Sequence, residues 1–143
     1  MTDKDIRWIQ RFSNFNKSLQ QLSKFVQKET LSELEKPGLV KLFETTYELS
    51  WLTIKDFYEY QGESGIQGSK DAFKLASERG LVQNGRDWME MVESRKLTVH
   101  TYNEETADEV EDAVIETYYE LFLELQNSLE EQRSGSKGKI ELL

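Results

Sequence analysis

Between Asp3 and Lys28, apolar side chains recur at steps of three and four: Ile6, Ile9, Phe12, Phe15, Leu19, Leu22 and Phe25. That period is one face of an amphipathic helix, and it predicts α-helix over the whole stretch. Thr30–Lys36 is polar and predicts a short turn of helix, and Pro37-Gly38 then punctuates the chain. Proline is well tolerated in the first turn of a helix, where its missing N–H would have no partner anyway. The helix it opens is predicted to reach about Gln61, with Leu39, Leu42, Phe43, Thr46, Leu49, Leu52 and Phe57 facing inward. Gly62, Gly65 and Gly68 mark a flexible loop.

Ser69 is placed to N-cap a short helix that Gly80 ends as the first residue past the cap. Asn84 or Gly85 opens another, from Asp87 to about Leu97, burying Trp88, Met91 and Val92. Asn103 is a strong N-cap, followed by Glu104 and Glu105 where the helix dipole favours negative charge. The last helix carries Val110, Ala113, Val114, Thr117, Leu121, Leu125 and Leu129 on one face. Tyr118, Phe122 and Leu123 widen that surface, which suggests a second packing partner and so a two-fold dimer. No repeat and no strand-like alternation interrupts the pattern. Three long helices and two short ones predict an all-α fold, a four-helix-type up-down bundle with one or two extra short helices. Residues 1–133 read as one domain, and the Gly-Ser-Lys composition from Ser134 reads as a flexible tail over 134–143.

Composition narrows the possible functions. The 143 residues include 31% charged and 37% hydrophobic side chains and a single Pro, a soluble and helix-rich balance. No apolar run approaches the roughly 20 residues of a membrane span, and the first residues lack the apolar core of a signal peptide. A cytoplasmic address without membrane attachment is expected. With no Cys and one His, neither a disulfide framework nor a zinc site is expected, and no metal or other cofactor is called for. The net charge of -9 speaks against a general nucleic-acid binder. Its distribution softens that exclusion, because residues 103–132 hold eleven acidic side chains and no basic ones, whereas residues 69–102 carry six basic and five acidic. A small phosphate-containing ligand or a short RNA is therefore compatible with the latter segment. The acidic run itself reads as a solvated face, with docking of a basic partner as its lesser use.

The only histidine, His100, lies in the pattern R-x4-H-x-Y formed by Arg95, His100 and Tyr102. Histidine titrates near neutrality, so it is the chain's one ordinary proton shuttle at pH 7. Arginine is a permanent planar cation suited to phosphate, and tyrosine offers a hydroxyl that donates, accepts or can be modified. Given the frequencies of Arg and Tyr in this chain, both spacings coincide by chance only about 0.2% of the time. Metal-independent RNA cleavage needs a group to take the 2′-OH proton and a cation at the phosphate; His100 and Arg95 are the candidate catalytic pair. Five residues apart on one helix, they diverge by about 140°. Either the helix ends near Leu97–Val99 or a partner subunit completes the site. Glu44 and Glu48, one helical turn apart, lack a nearby His to bind metal and are better placed to orient Arg95 by an ion pair. Trp51 and Trp88 are expected in the core.

Two blocks carry a family resemblance. Leu42-Phe43-Glu44-Thr45-Thr46-Tyr47-Glu48-Leu49-Ser50-Trp51 and the run from Trp88 through Ala107 resemble the HEPN superfamily, specifically the nucleotidyltransferase substrate-binding proteins that pair with a minimal nucleotidyltransferase. The resemblance spans roughly Asn14 to Gln132. It implies a helical-bundle homodimer with its two R-x4-H motifs facing one cleft, and a ribonuclease toxin neutralised by its nucleotidyltransferase partner. It also implies Tyr102 as the acceptor of AMP from that partner. Lys96 departs from the Asn or Asp usual after the arginine, and Ser94 from the acidic residue often found near the position before it. Lysine donates but cannot accept a hydrogen bond, and an inward second cation tends to lower the pKa of a neighbouring imidazole. The rival readings are a non-catalytic binding subunit that presents substrate to the nucleotidyltransferase, and a structural bundle whose motif only mediates dimer contacts. The chain does not read as the nucleotidyltransferase itself, because it lacks a Gly-Ser element followed by paired aspartates on a strand.

Overall fold

A computed structural model describes the backbone of residues 3–100 and 103–141, with the side chains of residues 3–99 and 103–135. Among the described residues six α-helices follow one another: α1 (Asp3–Val26), α2 (Lys36–Tyr60), α3 (Ser69–Glu78), α4 (Gly85–His100), α5 (Glu104–Ala113) and α6 (Tyr119–Glu141). A single π-helical turn, Val114–Tyr118, joins α5 to α6. The architecture is the predicted all-α bundle. Cross-helix pairs give its directions. Trp8 meets Phe57, Arg11 meets Asp56 and Ser18 meets Thr46, so α1 and α2 are antiparallel. Trp88 meets Phe122 and Ser94 meets Tyr118, so α4 runs against the α5–α6 rod. Lys36 meets Asp108 and Phe43 meets Tyr118, so that rod runs alongside α2. The result is up-down-up-down, with α3 as the short extra helix.

The helix ends follow local chemistry. Pro37 sits in the first turn of α2, as its fixed φ favours. The polar stretch before it forms turns in which Ser32 and Glu35 bond reciprocally, the Ser32 hydroxyl accepting from Glu35 N–H and the Glu35 carboxylate from Ser32 N–H. Gly80 has φ +76°, and the N–H groups of Gly80 and Leu81 donate back to the carbonyls of Ser77 and Ala76, a Schellman ending that a side chain at Gly80 would strain. Asn103 caps α5, its Oδ1 accepting from Thr106 N–H at 2.8 Å. Ser69 is not the N-cap of α3; Gly68 is, and Ser69 is the first helical residue.

The core is aromatic. Phe43, fully buried, lies at its centre with ring centroids 6.1 Å from Tyr47, 5.7 Å from Tyr118 and 6.4 Å from Phe122. Trp88 packs on Phe73 and Phe122 from the α4 side. Tyr118 and Phe122 are therefore core residues of the chain itself, and the second partner inferred from the breadth of the last helix is not needed to cover them. The π-turn explains the difference: its extra residue rotates the helix after it by about 100°, which carries Tyr118 and Phe122 onto the inner face. Backbone helix also continues through Glu141, across the stretch from Ser134 predicted as a tail.

Candidate functional site

The site lies where α2 faces α4. On α4, Arg95 is clamped from two sides. Its Nη1 donates to Thr98 Oγ1 at 3.0 Å, and its Nη2 stands 3.6 Å from Glu44 Oε2 on α2. Thr98 is buried, and its hydroxyl in turn donates to the Arg95 carbonyl at 2.8 Å, which fixes the threonine rotamer and hence the oxygen that receives the guanidinium. About a quarter of the Arg95 side chain stays exposed (24%), so it can still meet an anion. Of the two carboxylates expected to orient Arg95, Glu44 is the one within ion-pair reach of it. Glu48 is committed elsewhere, accepting from Trp51 Nε1 at 3.0 Å.

Two adjacent hollows open on either side of Arg95 and Glu48, which border both. One, of about 280 Å³, is also lined by Tyr47, Trp51, Ser69, Val92, Lys96 and Val99. The other, of about 350 Å³, is also lined by Lys41, Glu44, Thr45 and Leu49. Trp51 thus departs from the expected core position: it is half-buried, edging the first hollow, whereas Trp88 is fully buried. Tyr47 donates its hydroxyl to Ser69 Oγ at 2.6 Å. Burial pushes the Tyr47 phenol above its ordinary range, against the downward pull of the Ser69 hydrogen bond and the Arg95 charge, so it stays a neutral donor. Lys96 pairs with Glu93 at 3.2 Å and is largely exposed, adding positive charge to the rim. Among the described residues, no group of three or more His, Cys, Asp or Glu side chains gathers to hold a metal.

The backbone of α4 continues through His100, three residues beyond the predicted end near Leu97. Arg95 and His100 therefore belong to one uninterrupted helix, about 140° apart around its axis. Of the two routes to a shared site, an early helix end is removed. Tyr102 lies outside the described residues. Sequence reasoning missed Tyr47, Thr98 and Ser69 as parts of the site. Thr98 carried a signal, since three residues after Arg95 puts it on the same helical face; Ser69 joins only through the tertiary fold.

A family model for nucleotidyltransferase substrate binding protein-like chains matches residues 10–131. The chain belongs to that family. A crystal structure from Thermus thermophilus is 30% identical, with a TM-score of 0.72, over 80% of this chain and 98% of that one. A chain of the structure of a tri-AMPylated Shewanella oneidensis HEPN toxin in complex with MNT antitoxin is similar at 20% identity and TM-score 0.64, over 91% of this chain and 98% of that one. A mutant of the toxin–antitoxin pair MntA-HpeT gives 20% and 0.63, over 90% and 98%. The last two establish a shared fold. Comparison with curated proteins gave no match. Among the described residues, no helix of this substrate-binding-family chain is long and apolar enough to cross a membrane.

Proposed function

We propose that the chain is the HEPN toxin-like subunit of a cytoplasmic two-component system with a minimal nucleotidyltransferase, and that it cleaves RNA without metal. The observation that carries this reading is the clamped Arg95, held by Glu44 and Thr98 at the edge of two hollows on the helix that ends in His100. His100 takes the proton of a ribose 2′-OH, the 2′-oxygen attacks the adjacent phosphorus, and the 5′-oxygen leaves, giving a 2′,3′-cyclic phosphate. Arg95 stabilises the charge that builds on the phosphate oxygens. The unbroken α4 supports a homodimer in which one protomer's Arg95 works with His100 of its copy. Exposed Leu97 and Val99 beside them are the apolar surface such a copy would cover. Control comes from the nucleotidyltransferase: the Tyr102 hydroxyl attacks the α-phosphorus of ATP, pyrophosphate leaves, and the attached AMP competes with RNA for Arg95.

The test is cleavage of a panel of RNAs in EDTA. Wild type cuts, and Arg95→Ala and His100→Ala abolish cutting with the helical signal intact. Lys96→Asn raises the rate, since it restores a side chain that both donates and accepts beside Arg95. Lys96 also favours a second reading, a non-catalytic subunit that presents substrate to the nucleotidyltransferase. Wild type that leaves every RNA uncut, with no gain from Lys96→Asn, selects it.

A further inference from the structure

The hollow on the Trp51 side of Arg95 has contents that phosphate binding does not explain. To its lining α2 contributes a half-buried indole, Trp51, and α4 an apolar surface from Val92 and Val99. Beside the two cations Arg95 and Lys96, its polar groups are the Glu48 carboxylate and the hydroxyls of Tyr47 and Ser69, which bond to each other. Its volume, about 280 Å³, lies at the small end of ligand pockets and suits a single nucleotide. Arg95 borders it, so a phosphate held there has its base within reach of this space. An aromatic surface for stacking beside a polar group for the base edge is how proteins read unpaired bases.

Glu48 decides which base. Ionised, a carboxylate only accepts hydrogen bonds. One of its oxygens, Oε2, already receives the Trp51 indole N–H at 3.0 Å, which couples the carboxylate to the stacking ring and fixes its place in the hollow. The other oxygen, and the free lone pair of the first, remain for a ligand with adjacent donors. Guanine alone among the four bases presents two neighbouring donors on its pairing edge, N1–H and the N2 amino group. Adenine and cytosine set a ring acceptor beside their one donor group, which a carboxylate repels, and uracil sets its single donor between two carbonyls.

We propose that the hollow lined by Trp51 and Glu48 is a guanine subsite, which stacks the base on the indole, reads its N1–H and N2 amino group with the Glu48 carboxylate, and so places a guanosine's phosphate at Arg95. The inference rests on the reading of Arg95 as a phosphate-holding residue. Its test is separate from cleavage.

The probes are the four nucleoside monophosphates, titrated into the full chain labelled with 15N and followed through the indole N–H resonances. The three tryptophans give three signals, and Trp51→Phe assigns the one that matters. GMP shifts the Trp51 signal saturably, with Trp8 and Trp88 unmoved, and binds at least about tenfold more tightly than AMP, CMP or UMP, as a bidentate base contact warrants. Glu48→Gln, which exchanges an acceptor for a donor, removes that preference while weaker stacking persists; Trp51→Leu, which lacks the reporting indole and is followed by isothermal titration calorimetry, weakens all four nucleotides together. Equal binding of the four, no movement of the Trp51 signal, or an undiminished preference in Glu48→Gln overturns the subsite. RNA cleavage is scored independently. Cleavage without guanine-selective binding removes the subsite and leaves the nuclease standing; guanine-selective binding without cleavage does the reverse.

Discussion

The Glu44 carboxylate stands 3.6 Å from the Arg95 guanidinium, each side chain about three-quarters covered where α2 meets α4. A partly buried pair of this kind contributes little to stability, of the order of 1 kcal/mol or less, yet it removes most of the guanidinium's rotational freedom. Thr98 holds the other side of the fork. Arg95 is therefore oriented before any ligand arrives, which is where such a pair affects chemistry.

Glu44→Gln should thus separate positioning from folding. The chain should melt within about 1 kcal/mol of wild type, while the single-turnover rate on RNA falls by roughly tenfold through loss of the aligned phosphate contact. Thr98→Val should act in the same direction. Unchanged rates in both variants, with melting also unchanged, would remove the clamp from the mechanism.

Phe43 tests the other side of the same helix. Phe43→Ala should cost about 3–5 kcal/mol in urea denaturation, because its ring is fully buried and packs against three others. A loss below about 1 kcal/mol would mean that the aromatic cluster is not packed as described.

How much of this was legible in the chain depends on what each feature rests on. The α1 and α2 patterns, the Asn103 cap and the Gly80 ending are local: a 3.6-residue period or one residue's φ preference decides them, and the helices fall where those signals point. The end of α4 does not announce itself that way. Leu97 and Val99 are exposed, so the inward periodicity stops at Thr98 although the backbone continues as helix to His100. The π-turn was invisible for a related reason, since Tyr118 stacking on Phe43 and bonding to Ser94 are contacts between distant segments. Within the site, Arg95 and the Glu44–Glu48 pair come together where α2 faces α4, whereas His100 lies about 140° further round α4. Which glutamate meets Arg95 is set by the rotation of α2 against α4, a quantity the spacing does not contain, whereas the Glu48–Trp51 bond lies within α2 at i, i+3.

Buried tyrosines should set an alkaline limit to stability. Desolvation raises the phenol pKa of Tyr47, Tyr58 and Tyr118 above the ordinary 10.0. The folded state thus holds these protons more tightly than the unfolded chain, so the stabilisation is complete below pH 10 and is lost as pH rises through the folded values. Urea midpoints should be level from about pH 7 to 9 and fall beyond about pH 10.5, less steeply in Tyr58→Phe. Midpoints that stay flat to about pH 11.5 would contradict the burial of the phenols.

The unbroken α4 makes its own prediction about assembly. Arg95 and His100 sit about 140° apart on one helix, so on the proposed function a working pair should be assembled from two copies, Arg95 of one with His100 of the other. Arg95→Ala and His100→Ala are each inactive alone on that account. In a mixed dimer of the two variants, one site lacks both residues and the other has both intact. Random exchange makes half of the dimers mixed, and one of their two sites is whole, so unfolding and refolding the variants together should restore about a quarter of the wild-type rate. The recovered activity should fall if either variant is present in large excess, since mixed dimers then become rare. A mixture as inactive as its components, with light scattering showing that dimers form and native mass spectrometry that they exchange, would place Arg95 and His100 in the same protomer's site and require α4 to bend before His100.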